Sequence, residues 1–567
     1  MNMKKIFITI LSIGLLASCY RDKGNYDYTL DNMNEITAIT FNPAKTDDNL
    51  IEFQQALKEE DRDCRIVVNV TQSKETTLDN LHFYWNISGD KDTIVETTGY
   101  LDIKLPLAQD LKYNILLQVY DKTTTLSRYE KLKVQTRPIF KNSLFVLHGK
   151  EGERKLGNIE IIAEDTIIYT DAYSKLFPVN ENPFANSIAL NYSVFHDHSD
   201  KYPSDVNSQN MTVWNNDAKA SVYEPYGLKV KYSNSAIFRP TSASFKYSRN
   251  VQVGSIYYNN FHRVVLSQDG QFYVGNHFPI LYKPGYLIET GEAQNEAHQM
   301  SYRATAAAIT SKRVVVWDEK NDRFLYLKHE MLPQIEDDII SNFFLASPIQ
   351  NANVNFTSLQ KSPAGMKAVY SYTQYIDDFD NTKAYFIFLD ESSNEYWRYE
   401  LTSVEIEDGN GEKANMTRAN GEAPAAFTIE GELLSNFDPG EQINTVVYNS
   451  WFTSNYLFYA NGGTVYRYNV SNGEKHIVYN APEGYTVSVI KFRNADSSNY
   501  MGDLHLYMSI GLNKGEEGAV AEVKFTTASD LDETFPTLFF DKDNEGNIFG
   551  NIQDLQFAPI YNYHVEY

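Results

Sequence analysis

The sequence predicts an all-β protein in two parts: an Ig-like β-sandwich over residues 35–137, then a β-propeller-like domain of about seven blades over residues 138–567. Three observations lead there. Aromatic residues make up 14% of the chain, with 41 Tyr and 32 Phe, and these types are enriched in strands. Short apolar runs alternate with polar turn clusters from residue 35 onward, which is the pattern of hairpins. After residue 138, strand–turn–strand units recur at intervals compatible with propeller blades of ~40–50 residues, some carrying insertions.

The N-terminus comes first. Lys4 and Lys5 precede an apolar run from Ile6 to Leu16, which is too short to span a bilayer as a stable helix. Leu16-Ala17-Ser18-Cys19 follows directly. Small residues before a cysteine fit a narrow peptidase cleft, and the cysteine offers a thiol for acylation. The stretch resembles a bacterial lipobox. That resemblance implies that residues 1–18 are a lipoprotein signal peptide and that Cys19 is the lipidation site. Lipoproteins of this kind carry several acyl chains, and two or more anchor a protein stably where one does not. Residues 19–34 are polar and aperiodic and read as a flexible tether. The chain has 2 Cys; with Cys19 acylated, Cys64 has no partner for an intrachain disulfide. It lies in a strand-like run and is expected to be a buried structural thiol.

In the sandwich region, strands are expected at Ile36–Phe41, Cys64–Thr71, His82–Ile87, Tyr113–Tyr120 and Leu126–Val134. Several short strands in about a hundred residues suit an Ig-like sandwich. Tyr84-Trp85-Asn86-Ile87-Ser88-Gly89-Asp90 resembles the tryptophan strand and Gly-Asp turn of PKD domains, although Lys91 follows where the fuller motif has glycine. Tyr113 to Asp121 resembles their closing strand. The Tyr-Arg-Asp-Lys-Gly-Asn-Tyr-Asp-Tyr stretch at residues 20–28 is similar to the start of PKD-like lipoproteins of Bacteroidetes. The resemblance implies an outer-membrane lipoprotein beside a SusC/SusD-type uptake system. It implies location and context but no reaction.

The second region contains hairpin units at Ser143–His148 with Ile159–Tyr169, Arg263–Ser267 with Gln271–Val274, and Arg313–Trp317 with Phe324–Leu327. They continue at Ala384–Leu389 with Tyr396–Leu401, Tyr456–Ala460 with Thr464–Val470, and Leu504–Ile510 with Ala519–Phe525. A further unit around Ser187–Val194 and Gly227–Tyr232 is poorly defined. Turns such as Gln268-Asp269-Gly270 and Asn461-Gly462-Gly463 separate the paired strands. Longer intervals leave room for insertions at Asp337–Gln360 and Val404–Glu441. The segment Ile552–Tyr561 is positioned to complete a blade begun near Ser143. Tandem sandwiches are the alternative, but no Pro/Ser/Gly-rich linker divides the region.

Few residues suggest chemistry. Asp541, Asp543 and Glu545 alternate before Gly546, like the first half of an oxygen-rich calcium loop. Ile552 stands where an EF-hand would place its bidentate glutamate, so the competing reading is an acidic hairpin turn and the only cofactor in view is structural calcium. His196-Asp197-His198, with Asp200, could offer two imidazoles on one strand face to a transition metal; solvated loop histidines are the competing reading. Asp92-Thr93-Ile94 and Asp165-Thr166-Ile167 resemble the O-glycosylation acceptor of Bacteroidetes, which implies Thr93 and Thr166 as modification sites. No nucleophile elbow, P-loop or Rossmann glycine pattern occurs, and carboxylate pairs for glycoside hydrolysis cannot be picked from 74 Asp and Glu.

The formal charge of −24 disfavours nucleic acid as a partner. Three functional readings stay open. The first is a non-catalytic binding component of an uptake system, anchored by lipid and taking a glycan or peptide. The second is a propeller-based hydrolase or lyase acting on polysaccharide. The third is an envelope scaffold contacting partner proteins.

Overall fold

A computed structural model describes residues 34–559 apart from short gaps and the longer stretches 196–207, 238–245, 254–261, 276–281, 288–301, 328–343, 405–425 and 494–501. The chain divides into two compact units, residues 1–139 and 140–567.

The first unit is a sandwich of eight strands: β1 (Ile36–Asn42), β2 (Leu50–Gln54), β3 (Asp63–Gln72), β4 (Leu81–Ser88), β5 (Thr93–Thr97), β6 (Tyr100–Lys104), β7 (Lys112–Asp121) and β8 (Ser127–Arg137). They form one sheet in the order β1-β3-β6 and another in the order β2-β8-β7-β4-β5. Residues of alternate parity point inward. Phe83, Trp85, Leu117 and Val119 from the larger sheet share a core with Phe41, Ile66, Val68 and Leu101 from the smaller. Trp85 is fully buried, and its indole Nε1 donates to Thr97 Oγ1 at 2.9 Å. The five strands expected from sequence are present. β2, β5 and β6, five residues each, were not expected; runs that short hardly establish an alternation. Cys64 is half-buried rather than fully buried, because it lies near the end of β3. Burial, then Asp63 and Asp61, push its thiol up and disfavour the thiolate.

The second unit is a propeller-like ring of seven blades, each a small sheet, of which the third and fourth are joined into one eight-stranded sheet by parallel pairing of their outer strands, Gly285–Leu287 with Phe344–Ala346. The first contains β9 (Ser143–His148), β10 (Lys155–Ile162) and β11 (Asp165–Tyr169), and its fourth strand is the last of the chain, β38 (Ile552–Ala558). A short helix, α1 (Ala172–Leu176), follows β11. The second sheet is β12 (Ser187–Phe195), β13 (Ser208–Asn215), β14 (Ala220–Glu224) and β15 (Lys229–Ser233). The third is β16 (Tyr247–Val253), β17 (His262–Ser267), β18 (Phe272–Gly275) and β19 (Tyr282–Leu287). The fourth is β20 (Ala304–Thr310), β21 (Arg313–Asp318), β22 (Arg323–Leu327) and β23 (Phe344–Pro348). An added strand, β24 (Val354–Leu359), runs parallel to the outer strand of the fifth sheet. That sheet is β25 (Lys367–Asp377), β26 (Asn381–Asp390), β27 (Glu395–Val404) and β28 (Ala426–Leu433). The sixth is β29 (Val447–Tyr448), β30 (Tyr456–Asn461), β31 (Thr464–Asn469) and β32 (Lys475–Asn480). The seventh is β33 (Thr486–Phe492), β34 (Tyr507–Lys514), β35 (Glu517–Lys524) and β36 (Leu538–Phe540), with β37 (Phe549–Gly550) also paired to β35.

No sheet closes on itself; packing between successive sheets closes the ring. Trp214 and Val222 meet Val265 and Tyr273 across the second and third sheets. Leu266 and Phe272 meet Val314 and Val316 across the next pair. Trp317 and Phe324 pack on Phe386 and Phe388, Ile387 and Tyr396 on Leu457 and Tyr468, and Phe458 and Val465 on Ile490 and Ile510. Val489 and Val520 then pack on Val146 and Leu555 of the first sheet. Between the first and second sheets, Asp554 Oδ2 accepts from the Leu190 amide at 2.7 Å and Tyr192 donates to the Pro559 carbonyl at 2.9 Å.

The poorly defined unit around Ser187 and Gly227 is the complete second sheet. Ile159–Tyr169, read as one strand from sequence, is split between the antiparallel β10 and β11. The C-terminal segment does complete the sheet begun at Ser143. Gly518 permits the close approach of β35 and β37: a Cβ there would stand 2.0 Å from the Gly550 carbonyl oxygen.

His148 secures this closure. It is buried, its Nδ1 accepts from the Gly550 amide at 2.9 Å, and its Nε2 donates to the Thr170 carbonyl at 2.7 Å. One accepting and one donating nitrogen require the neutral imidazole. Burial holds its pKa below the ordinary value. The stabilisation is therefore present above the unfolded-state pKa of about 6.5 and is lost as pH falls below it. Thermal melts should show the ring losing stability from about pH 6.5 downward. A His148→Phe variant should be less stable at neutral pH and lack this part of the pH dependence.

Candidate functional site

Each blade has an even number of meandering strands, so the chain returns to the same end of the ring after every blade. One end therefore carries the connections from inner to second strand and from third to outer strand, including 525–537. The entry into β9 and the exit from β38 lie at that end too. The tight turns between the two middle strands, such as Asp390–Glu395 and Asn461–Thr464, lie at the other end.

Among the described residues, a group of titratable and aromatic side chains gathers between the fifth and sixth blades. Strand pairing places Tyr372, Tyr385 and Glu400 in one row and Ile387, Arg398 and Glu432 in the next. Cross-strand partners share a sheet face, and here that face is turned towards the sixth blade. Arg398 is buried, and its guanidinium donates to Tyr372 Oη at 3.1 Å and Asn455 Oδ1 at 3.2 Å, pairs with Glu432, and lies 4.6 Å over the Tyr385 ring. Tyr372 stacks on Tyr385 at 4.8 Å and on Tyr448 at 4.3 Å. Tyr385 donates to Glu400 at 2.9 Å, and Glu400 also pairs with Lys383. The Tyr448 amide donates to Tyr370 Oη at 3.0 Å.

Burial pushes the phenols of Tyr372, Tyr385 and Tyr448 well above their ordinary range. They stay protonated at working pH and serve as neutral donors, not bases. Burial opposes the charge on Arg398, but Tyr372 and Glu432 hold the guanidinium protonated. Arg398 Nε and Tyr448 Oη have no hydrogen-bond partner among the described residues. The arrangement is a charge-balanced aromatic seam able to donate hydrogen bonds. Sequence reading missed it; the available signal is Arg398 and Glu400 at alternate positions among Trp397 and Tyr399 in a strand otherwise buried on both faces.

A second polar group links three inner strands. Lys491 pairs with Asp554 at 2.7 Å and donates to the Leu190 carbonyl at 3.2 Å. Nearby, Arg493 forks onto buried Glu522, with Nε at 2.6 Å, and stacks over Tyr507 and Phe557.

The residues singled out from sequence are scattered. Cys19, His196, Asp197, His198 and Asp200 lie outside the described residues. Thr93 opens β5 opposite Ile87, and Thr166 is half-buried in β11 opposite Ile161. Asp541 and Glu545 are exposed, and Glu545 pairs with Lys175 at 2.5 Å. Asp543 points inward, accepting from Thr170 Oγ1 at 2.8 Å, the Asn547 amide at 2.8 Å, Asn547 Nδ2 at 3.0 Å and the Glu545 amide at 3.0 Å. Burial alone would raise the Asp543 carboxyl, but these donors outweigh it and hold it down at about 2. The three carboxylates do not converge, and among the described residues no group of three His, Cys, Asp or Glu side chains is placed to hold a metal. Asn544 docks the same turn onto β11 by accepting from the Ile168 amide at 2.8 Å.

Residues 19–178 match the PKD-like family. The match spans the sandwich and runs into the first blade as far as α1. No curated protein matches the chain. Among solved structures, a quinoprotein alcohol dehydrogenase-like protein from Bacteroides thetaiotaomicron VPI-5482 is 10% identical, covering 90% of this chain and 96% of its own, with a TM-score of 0.36. The WD40 domain of SCAP from fission yeast is 10% identical, covering 73% and 94%, with a TM-score of 0.30. A Synechocystis ACO mutant is 9% identical, covering 75% and 94%, with a TM-score of 0.37. The propeller-like assignment rests on the strand order and the packing between sheets described above.

Arg398 is buried but its partner Glu432 is 45% exposed, so the loss on removing the guanidinium comes chiefly from its hydrogen bonds to Tyr372 and Asn455 and its packing on Tyr385. Arg398→Met should therefore lower the melting temperature, and Tyr372→Phe, which removes one charge-assisted hydrogen bond, should cost about 1.5–3 kcal/mol. With the Asp543 carboxylate satisfied by protein donors, the 541–547 turn should add no calcium dependence: any shift of the melting temperature with calcium or chelator should persist in an Asp541→Asn/Glu545→Gln variant, and its loss there would place a cation at the turn.

Proposed function

We propose that the protein is a lipid-anchored envelope protein acting as a non-catalytic binding component of a nutrient-uptake system of the SusC/SusD type, with a glycan or peptide as its ligand. The observation that carries this reading is a coincidence of positions. The lipobox-like Leu16-Ala17-Ser18 ends where the PKD-like match begins, at Cys19. That is the boundary expected if the mature chain starts at an acylated cysteine. Acyl chains then hold the protein at the outer membrane.

The ring suits binding. A closed set of blades is a rigid scaffold, and connections at one end differ widely in length, as binding loops on rigid frames do.

Replacing Cys19 by Ala should move the protein from the membrane to the soluble fraction, and mass spectrometry of the native N-terminus should find a diacyl- or triacyl-cysteine at residue 19. An intact leader or an unmodified thiol would refute the anchor. Incubation with envelope polysaccharides and peptides should show retention without new reducing ends or new termini; product release would instead favour a hydrolase or lyase.

A further inference from the structure

The outer face of the larger sheet of the sandwich is unusual for a solvated face. Inward positions of β4, β7 and β8 supply Phe83, Trp85, Ile115, Leu117, Val119, Leu132 and Val134 to the core. Strand alternation therefore sends the intervening residues outward. Register places Glu96, Tyr84, Gln118 and Tyr129 side by side across four strands, and His82, Tyr120 and Ser127 in the adjoining row. Neighbours in such rows have Cβ atoms about 4.5–5.5 Å apart, and diagonal neighbours about 7–8 Å. Tyr84, Tyr120 and Tyr129 thus form one contiguous patch on three adjacent strands.

The rings are open to solvent to different degrees. Tyr129 is 55% exposed, and Tyr84 and Tyr120 are partly buried, each with an edge open to solvent. His82 stacks on Tyr84 at 5.9 Å with only 9° between ring planes, and its Nδ1 meets the Glu96 carboxylate. Gln118 Nε2 donates to Ser127 Oγ at 2.8 Å. Amide, hydroxyl and carboxylate groups therefore stand between and beside the rings.

We infer that this face is a carbohydrate-binding platform, with Tyr84, Tyr120 and Tyr129 stacking on sugar rings and Gln118, Asn86 and Glu96 bonding to their hydroxyls. Tyrosine suits that task because it offers an apolar face beside a polar handle. Charge selects the ligand class. The whole chain carries −24, yet the rows that hold the tyrosines carry one carboxylate, Glu96 on the edge strand β5, beside His82, while Lys112, Lys131, Lys133 and Glu52 lie towards the other end of the sheet. A field of no dominant sign fits a neutral polymer rather than a polyanion. Apart from Leu116, the outward positions of β4, β7 and β8 are aromatic, polar or charged, so the surface offers little to an acyl chain or an amphipathic helix. This assigns binding to the sandwich itself and needs neither the anchor nor the ring.

The test is affinity electrophoresis of the purified chain in native gels cast with galactomannan, mixed-linkage glucan, arabinoxylan or dextran. The expected result is retardation by at least one of them, insensitive to added salt. The triple variant Tyr84→Ala/Tyr120→Ala/Tyr129→Ala, which removes every stacking ring, should weaken it at least about tenfold. Tyr129→Phe, which keeps the ring, should retain most of it. Melting curves confirm that the variants are folded. If the polymers do not retard the native chain, the inference falls. It also falls if the folded triple variant is retarded like the native chain; the glycan would then be held elsewhere, and the uptake reading would survive without this platform.

Discussion

The pairing of β38 with β9 is the interaction on which the ring depends. It joins segments some 400 residues apart, as the Gly550–His148 contact at a separation of 402 illustrates. Without it the first blade would lack its inner strand, and β9 would present unpaired backbone groups along one edge. The neighbouring seams depend on it as well, because Leu555 and Phe557 of β38 pack against the seventh blade while Asp554 ties the first blade to the second. Closing so long a loop costs entropy that grows only slowly with its length. The cost is offset by cooperative burial of apolar seams on both sides of the closing strand.

Around the ring the seams share a plan and differ in chemistry. Between the fourth and fifth blades, Trp317, Phe324 and Phe388 meet edge to face at 4.8 to 6.4 Å, an arrangement favoured by ring quadrupoles. Between the sixth and seventh, Phe452, Phe458, Phe492 and Phe525 repeat it. The seam between the fifth and sixth is more polar, with Arg398 held by tyrosines and carboxylates. A buried charge of this kind is tolerable only when its donors are largely satisfied, and this couples the packing of two blades to one side chain. Hydrogen bonds between inner strands add to this. Ser371 Oγ donates to the Ala307 carbonyl at 2.7 Å, and Lys491 reaches both Asp554 and Leu190.

The sequence reading found the middle strands of the blades and largely missed the inner and outer ones. β17 with β18, β21 with β22, β26 with β27 and β30 with β31 were all legible. They are apolar on both faces, and short turns such as Asn461-Gly462-Gly463 join them, so the signal is local. Inner strands such as β29, two residues long, carry no periodicity of their own, and outer strands are separated from their partners by long connections. The same limit hid the site. Arg398 and Glu400 are adjacent enough to notice, but Tyr372, Tyr448 and Asn455 join them only through packing between blades. Asp541, Asp543 and Glu545 show the reverse: a spacing suggestive of a shared ligand, pulled apart because the turn directs Asp543 towards Thr170 and leaves its neighbours in solvent.

What the sequence determined by itself was the all-β character, the division into a sandwich and a propeller-like region, and the rhythm of about seven units. These follow from alternation, aromatic content and turn chemistry, all of which act over a few residues. Which strands share a sheet, that the last strand of the chain sits in the first blade, and which tyrosines gather on one face of the sandwich or around one guanidinium were decided by the tertiary structure. Those outcomes depend on register and on contacts between distant segments, and a register shift of one residue would turn Tyr84, Tyr120 and Tyr129 from solvent into the core.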